Sequence, residues 1–249
     1  MRDLSRSSKR MTFSSKIVTF AVFISAVSMS IAQQTNLPSV RVAVQQIANS
    51  GTLTPLREQS NVGSRTFPMI YASLIELDRQ GDLSLKPSLA TSWKRIDDYT
   101  VELKLRQGVK FHNGDEMTAE DVAFTFGPEY MFGTTKPIRV GQVASTIGTS
   151  TNPGTPAAAV KISSVTLPPE VPAVARRMWP SLEQVKIIDK YTVRFINLAP
   201  DMTLEGRIAR SSEIISKRAF LASKDWTSWA RNPVAAGPFK IKEFKPDNY

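Results

Sequence analysis

The 249-residue sequence contains no cysteine and a single histidine, His112. Without cysteine there is no disulfide framework, no thiolate nucleophile and no thiolate metal site. One histidine also excludes a metal site built from several histidines. No G-x-S-x-G turn displays a nucleophilic serine, and the two glycine-rich phosphate-binding motifs are absent. We therefore expect a protein that is not an enzyme, and we interpret His112, beside the Asn113-Gly114 turn, as structural.

Two acidic pairs and two basic pairs of adjacent residues are candidate sites, and none of them predicts a catalytic or nucleic-acid site. The two acidic pairs are Asp97-Asp98 and Glu120-Asp121. Because sequence neighbours in a strand or turn point apart, neither pair suits general acid and base catalysis, and both are interpreted as turn or cap residues. The basic pairs Arg176-Arg177 and Lys217-Arg218 lie far apart and lack interleaved aromatic residues, so no nucleic-acid groove is expected.

The N-terminus has the pattern of an export signal. An apolar run at residues 17–31 follows a basic leader, and the net charge of the whole chain is +10. Ser30-Ile31-Ala32 places small residues where a signal peptidase reads them, which predicts cleavage before Gln33. The run is shorter than the roughly 20 residues of a membrane span, so a membrane anchor is the less favoured reading. With no cysteine after it, we expect a periplasmic protein that is not a lipoprotein, with residues 1–32 removed and residues 33–249 mature.

Alternating and helical patterns then indicate a mixed sheet with helices. Val40, Val42 and Val44 predict a first strand, which ends in a polar loop at residues 49–52. Apolar spacing predicts a helix over residues 65–77, with Pro68 in its first turn. Turn residues Gly81-Asp82 close that unit.

The next segment predicts a strand, a hairpin and a capped helix. Val101, Leu103 and Leu105 alternate with polar residues, which indicates a strand with one buried face. Residues 109–111 are expected to return between two glycine turns. Thr118 and Asp121 have the spacing of a capping box, which predicts a helix start.

Residues 127–180 contain eight of the 16 prolines and predict a surface excursion or partial disorder. Beyond them, residues 188–193 (IDKYTV) repeat the pattern of residues 96–101 (IDDYTV), so we expect two similar hairpins. Trp93 and Trp179 are interpreted as core residues rather than ligand platforms, and Trp226 and Trp229 as core or interface anchors. Gly237-Pro238 predicts a turn into a further strand at residues 239–241.

The ordered motifs between residues 85 and 126 resemble solute-binding protein family 5, the extracytoplasmic binding proteins for oligopeptides, dipeptides and nickel. The residues that carry the resemblance are Pro87, Leu89-Ala90, Trp93, Asp97-Asp98, Leu105-Arg106, Gly108-Val109, Phe111-His112, Gly114 and Thr118-Ala119-Glu120-Asp121-Val122. The resemblance implies an α/β fold with a mixed sheet, namely lobe I of a two-lobed, type II-like periplasmic binding protein. Lobe II is expected to be absent.

The resemblance also implies a function. We expect the periplasmic substrate-binding component of an ABC importer, with a peptide as the first candidate ligand and opines, sugars or nickel chelates as alternatives. Nickel is the least favoured of these, since His112 stands alone. Expected partners are the membrane permease subunits, through them the ATPase subunits, and a separately encoded C-terminal half. A transport-inactive secreted scaffold is the alternative function.

Family members contact their ligand through the loop after the first strand. In this sequence that loop consists of Asn49, Ser50, Gly51 and Thr52, which are the candidate ligand-binding residues. The family's glycine-threonine-glycine-proline-tyrosine turn is replaced by Ala235-Ala236-Gly237-Pro238-Phe239, so no ligand contact is expected there. No cofactor and no metal is expected.

Overall fold

The computed structural model describes residues 51–58, 60–134, 160–162 and 165–245, all within the compact unit Gln45–Tyr249. The predicted signal peptide and the predicted strand of Val40, Val42 and Val44 lie outside the described residues. So do Asn49, Ser50 and residues 135–159 and 163–164 of the proline-rich segment. Within the described ranges, no helix is long and apolar enough to cross a membrane.

Helices and short strands are interspersed along the described chain. In order they are α1 (Asn61–Ile70), β1 (Ile75–Leu77), β2 (Leu85–Pro87), β3 (Ala90–Arg95), β4 (Thr100–Leu105), α2 (Ala119–Thr125), α3 (Pro128–Phe132), β5 (Val160–Ile162), β6 (Val165–Leu167), α4 (Val171–Met178), β7 (Leu182–Asp189), β8 (Thr192–Asn197), α5 (Leu204–Ser211), α6 (Lys217–Leu221) and α7 (Trp226–Arg231).

The central sheet has four antiparallel strands in the order β3-β4-β8-β7. Its inner face carries Val101, Leu103 and Leu105, all buried, so the predicted alternation is confirmed. Leu103 lies opposite Val193 on β8. The two predicted hairpins are also confirmed: they are β3–β4 and β7–β8, and their second strands pair at the centre of the sheet.

The predicted helix over residues 65–77 is wrong in its bounds. Helix α1 begins at Asn61 and ends at Ile70, so Pro68 lies near its end and not in its first turn. The Gly237 N–H donates to the Ile70 carbonyl over 2.9 Å, and the Phe239 N–H donates to the Met69 carbonyl over 2.9 Å. Because a distant segment satisfies these last carbonyls, the chain leaves the helix and continues into β1.

Two predicted return strands do not form. At residues 109–111 the pairing is limited to an isolated bridge between Lys110 and Glu116. Residues 239–241 form no strand either, and Phe239 remains 63% exposed. His112 holds the preceding segment at residues 235–237. Its backbone N–H donates to the Ala235 carbonyl, and its ring Nε2 lies 2.9 Å from the Gly237 carbonyl oxygen. These contacts confirm that His112 is structural.

The capping box at α2 is confirmed. The Thr118 N–H donates to the Asp121 carboxylate over 2.9 Å, and the Glu120 N–H donates to the Thr118 hydroxyl. The same carboxylate accepts the Lys217 N–H over 3.1 Å, which ties α2 to the start of α6. Asp121 therefore caps one helix and positions a second.

The described flanks of the proline-rich segment fold into regular elements that no sequence pattern indicated. Pro128 and Pro172 lie in the first turns of α3 and α4, where a missing N–H costs nothing. Trp179, just after α4, is buried and packs edge-on against Phe126 with ring centroids 4.8 Å apart. Trp179, Trp226 and Trp229 are core residues, whereas Trp93 is only half-buried.

Candidate functional site

The described part of the predicted ligand loop is anchored to α7. Gly51 is partly exposed and has a φ of 62°, in the left-handed region that glycine adopts readily. Thr52 is buried: its hydroxyl donates to the Ala230 carbonyl over 3.3 Å and accepts the Thr54 N–H over 3.2 Å. Of these two residues, Gly51 is therefore accessible to a ligand, while the Thr52 side chain supports the loop. Asn49 and Ser50 lie outside the described residues.

Two buried tyrosines hold the chain that follows this loop. The Tyr71 hydroxyl donates to the Leu53 carbonyl over 2.8 Å, and the Tyr130 hydroxyl lies 3.2 Å from the Thr54 hydroxyl. Burial raises the pKa of both phenols, that of Tyr130 to about 12. Both side chains therefore stay neutral and act as hydrogen-bonding anchors between the loop, α1 and α3.

A cavity of about 510 Å³ opens beside these anchors. We name it the loop cavity. Its walls come from the segment after the loop, from α1, from the β1–β2 hairpin and from the end of α5, and include Pro55, Glu58, Tyr71, Arg210 and Glu213. Elements far apart in the sequence thus meet around one space, the usual construction of a ligand pocket.

Two carboxyl groups line the loop cavity, of which Glu58 is buried and Glu213 is half-buried. Glu58 is 1% exposed, and its Oε1 accepts the Ser60 N–H over 2.8 Å. Gly63 on α1 makes room for it, because a Cβ at that position would overlap the Glu58 side chain. Glu213 forms an isolated antiparallel β-bridge with Ser73, and burial raises the pKa of its side chain to about 7. Neither residue was singled out in the sequence, since nothing about its spacing sets it apart.

A second open space of about 800 Å³, the Trp93 groove, adjoins the loop cavity. The two spaces share Leu77, Met178, Arg210 and Ser211 as walls. Beyond this shared wall the Trp93 groove presents Trp93, Leu83 and Met202 together with Arg177 and Arg207. The loop cavity and the Trp93 groove therefore lie next to each other.

The arginines of the Trp93 groove differ in their partners. Arg207 is held by the Asp201 carboxylate at 3.3 Å and by the Met178 carbonyl at 3.2 Å. Arg177 and Arg210 make no ion pair with any side chain that the structure describes. Their guanidinium groups are consequently available to an anion.

The chemistry offered by these two spaces is recognition through charge, hydrogen bonds and apolar contact. Among residues 51–58, 60–134, 160–162 and 165–245, no group of three or more His, Cys, Asp or Glu side chains is arranged to hold a metal ion. Carboxylates, guanidinium groups and an indole ring line these two neighbouring spaces, which suits the binding of a small polar molecule.

Comparison with known proteins gives consistent results. Residues 84–249 match the model of the bacterial extracellular solute-binding proteins, family 5 Middle. The chain is 26% identical over 187 residues to the oligopeptide-binding protein AppA of Bacillus subtilis (strain 168), which covers 73% of this chain and 27% of AppA. It therefore spans about a quarter of that relative's length.

Solved structures share the fold. The protein MoaA in complex with mannopinic acid from A.tumefacien R10 superimposes with a TM-score of 0.56 at 21% identity, covering 82% of this chain and 34% of MoaA. The dipeptide binding protein from pseudoalteromonas sp. SM9913 in complex with Met-Leu gives a TM-score of 0.55 at 21% identity, covering 80% and 35%. At these identities the likeness shows the fold alone, and the matched third of each neighbour is consistent with one lobe. Since the family model matches two thirds of the sequence, this chain belongs to the bacterial extracellular solute-binding proteins, family 5.

Proposed function

We propose that the chain serves as the substrate-binding component of an ABC importer and that its ligand is a peptide. The observation that carries this proposal is the loop cavity, an accessible space of about 510 Å³ whose walls include carboxyl and hydroxyl groups. Membership of the family and the relatives that bind oligopeptides and dipeptides support the same ligand class. The role is binding without chemical conversion.

The proposed partners follow from this role. The binding component delivers its ligand to permease subunits in the inner membrane, and ATPase subunits drive import through them. The chain is proposed to act in the periplasm after removal of residues 1–32, as a protein without a lipid anchor. The known relatives are extracellular or periplasmic binding proteins, which supports this location.

We propose that this chain supplies only part of the free energy of peptide binding. It spans 27% of AppA and about a third of the solved neighbours, and a clamp responds to ligand only when its closed state gains contacts that its open state lacks. We therefore propose that contacts from a second lobe complete the site. The isolated chain is then expected to bind peptide weakly, with a dissociation constant of about 1 mM.

Peptide uptake in cells tests the proposed function. Deleting the gene is expected to make cells resistant to a toxic peptide, and a plasmid copy is expected to restore sensitivity. A plasmid copy with Gly51→Asp places a charged side chain at the accessible loop residue. It is expected to restore less sensitivity to the toxic peptide than the parent copy. Unchanged sensitivity after deletion would contradict a role in peptide import and would favour a secreted scaffold.

A further inference from the structure

We infer that the Trp93 groove is a docking surface for a permease subunit of the importer, and that it receives a segment of that subunit in which carboxylates flank a large apolar side chain. The inference rests on the proposed function, which supplies the permease as a partner. It adds the surface of this chain that the partner contacts and the chemistry of the segment that fits it.

Leu83, in the turn between β1 and β2, is held in a backbone conformation that does not suit leucine. Its φ is 64°, and it is the one residue other than glycine with a positive φ in the described ranges. Leucine enters this left-handed region at a cost in free energy, whereas glycine and asparagine adopt it more readily. The turn imposes the conformation, because the Leu83 N–H donates to the Asp78 carbonyl over 3.0 Å and the Asp78 N–H donates to the Ser84 carbonyl over 2.9 Å. Residues strained in this way are concentrated at functional sites.

The strained turn presents an apolar side chain to solvent. Leu83 is 60% exposed, and Met202, which lines the same groove, is 71% exposed. They are two of the three most exposed large apolar side chains in the described part of the chain. Trp93, which is half-buried, belongs to the same lining. Removing these side chains from water would gain free energy, so the groove suits a large apolar side chain of a partner.

The charged side chains of the groove leave positive charge uncompensated. The groove's carboxylate, Glu205, is already bound by Arg95. Arg177 and Arg210 are exposed and make no ion pair with a side chain of residues 51–58, 60–134, 160–162 or 165–245. A guanidinium group binds a carboxylate through two parallel hydrogen bonds. Because the two arginines belong to different helices, α4 and α5, a segment that meets both would carry a carboxylate on each side of its apolar side chain.

The groove shares a wall with the loop cavity, which favours a partner that has to respond to the ligand. Leu77, Met178, Arg210 and Ser211 line both spaces. A segment in the groove would contact side chains that a ligand in the loop cavity also contacts. Linkage then requires that each occupant change the affinity for the other by the same factor. A permease subunit has to distinguish the loaded binding protein from the empty one, so this arrangement fits it better than it fits a passive scaffold.

Photocross-linking in cells identifies the occupant of the groove. The photoreactive amino acid p-benzoylphenylalanine would replace Leu83 in a plasmid copy expressed in the deletion strain, and Ile188 in a control copy. Ile188 is also an exposed apolar residue, but it lies on β7, outside both spaces. Irradiation should join position 83 to a multi-span membrane protein, identified by mass spectrometry as the permease subunit encoded with an ATPase. Position 188 should give no such adduct.

Charge reversal tests the chemistry of the docked segment. With the photoreactive residue at position 83, the pair Arg177→Glu and Arg210→Glu should lower the yield of the adduct about tenfold or more, because carboxylates of the segment would then face carboxylates. The matched pair Lys186→Glu and Lys240→Glu makes the same change in net charge at exposed positions outside the groove. It should leave the yield unchanged.

The variant Leu83→Asn separates docking from stability. Asparagine tolerates the left-handed conformation, so the purified variant should unfold at the same temperature as the parent or at a higher one. It should also bind the tripeptide Ala-Phe-Ala as the parent does in an amide NMR titration, since Leu83 does not line the loop cavity. Loss of the apolar contact should nevertheless weaken docking about tenfold, so a plasmid copy should restore sensitivity to the toxic peptide only in part. The control Ile188→Asn should restore it fully.

The outcomes separate the inference from the function on which it rests. Full restoration of sensitivity by Leu83→Asn, or an adduct of position 83 with a second copy of this chain, with a soluble protein or with nothing, would overturn the inference and leave the proposed function standing. A permease adduct whose yield survives charge reversal at Arg177 and Arg210 would overturn the carboxylates assigned to the segment. Unchanged sensitivity after deletion of the gene would instead contradict the proposed function itself.

Discussion

Arg194 on β8 donates its Nε–H to the Glu102 carboxylate on β4 over 2.8 Å, across the centre of the sheet. The two residues are directly opposite in register. Each follows the valine of its IDxYTV segment, so they occupy equivalent positions in the two hairpins. The hairpins are therefore related by an approximate two-fold axis that passes between Glu102 and Arg194. A repeated local pattern has produced two similar units that pair through their second strands.

The first prediction concerns this pair. A double-mutant cycle with Glu102→Ala and Arg194→Ala should give a coupling free energy of about 0.5–1 kcal/mol, since the pair is partly solvated and lies cross-strand. Urea denaturation of the four proteins measures it. A coupling below about 0.2 kcal/mol would mean that the contact adds nothing to the pairing of β4 with β8.

The second prediction is a pH dependence. Burial raises the pKa of Glu213 from its ordinary 4.5 to about 7, so between these values the folded chain keeps a proton that the unfolded chain has released. The contribution of Glu213 to stability is therefore present below pH 4.5 and is lost as the pH rises through 7. At pH 8 the free energy of unfolding of Glu213→Gln, measured by urea denaturation, should exceed that of the parent by about 1–2 kcal/mol. At pH 5 the two free energies should match.

A variant that is equally destabilised at both pH values would contradict this reading of Glu213. It would indicate that the carboxyl group is held by hydrogen bonds that the amide fails to reproduce. Carboxyl NMR of the parent protein provides a direct check, because the Glu213 resonance should titrate near pH 7 and not near its ordinary 4.5.

The third prediction concerns Gly237. A Cβ at this position would overlap the Ile70 carbonyl group and lie 2.6 Å from the Tyr71 nitrogen, and backbone atoms cannot yield as a side chain can. Gly237→Ala should lower the free energy of unfolding by about 2–3 kcal/mol. The matched control is Gly206→Ala on α5, where a Cβ has open space. It should stabilise the protein by about 0.5–1 kcal/mol, and equal effects of the two substitutions would contradict the packing argument.

The fourth prediction concerns Thr52. Thr52→Val keeps the shape of the side chain but removes the hydroxyl that bonds to Ala230 and Thr54, so it should cost about 1–2 kcal/mol of stability. Thermal unfolding followed by circular dichroism measures the change. Thr91→Val serves as the control, because the Thr91 hydroxyl bonds to the Lys104 carbonyl at an exposed position and should matter less.

Features that depend on neighbours in the sequence were predictable. The alternation at Val101, Leu103 and Leu105 requires a strand with one buried face, and the capping box of Thr118 and Asp121 satisfies its own helix terminus. Each of these features depends only on residues that lie within a few positions of one another in the sequence. The family resemblance also came from this region, and it indicated the fold that the comparisons then showed.

Features that depend on distant contacts were not predictable. Helix α1 ends at Ile70 because Gly237 and Phe239, far along the chain, donate to its last two carbonyls. In the sequence, the prolines of α3 and α4 suggest interruptions of regular secondary structure. In the structure, each of them lies in the first turn of its helix. Glu58 and Glu213 become a pair of cavity carboxylates only after four separate segments have folded around one space.

Mapping a peptide onto the full chain by amide NMR tests the central claim most directly. Addition of Ala-Phe-Ala is predicted to shift the backbone amides of Gly51, Tyr71 and Glu213, while amides on the exposed strand β7 stay unchanged. Shifts confined to β7, or no shifts at saturating peptide, would contradict the assignment of the loop cavity as the binding site.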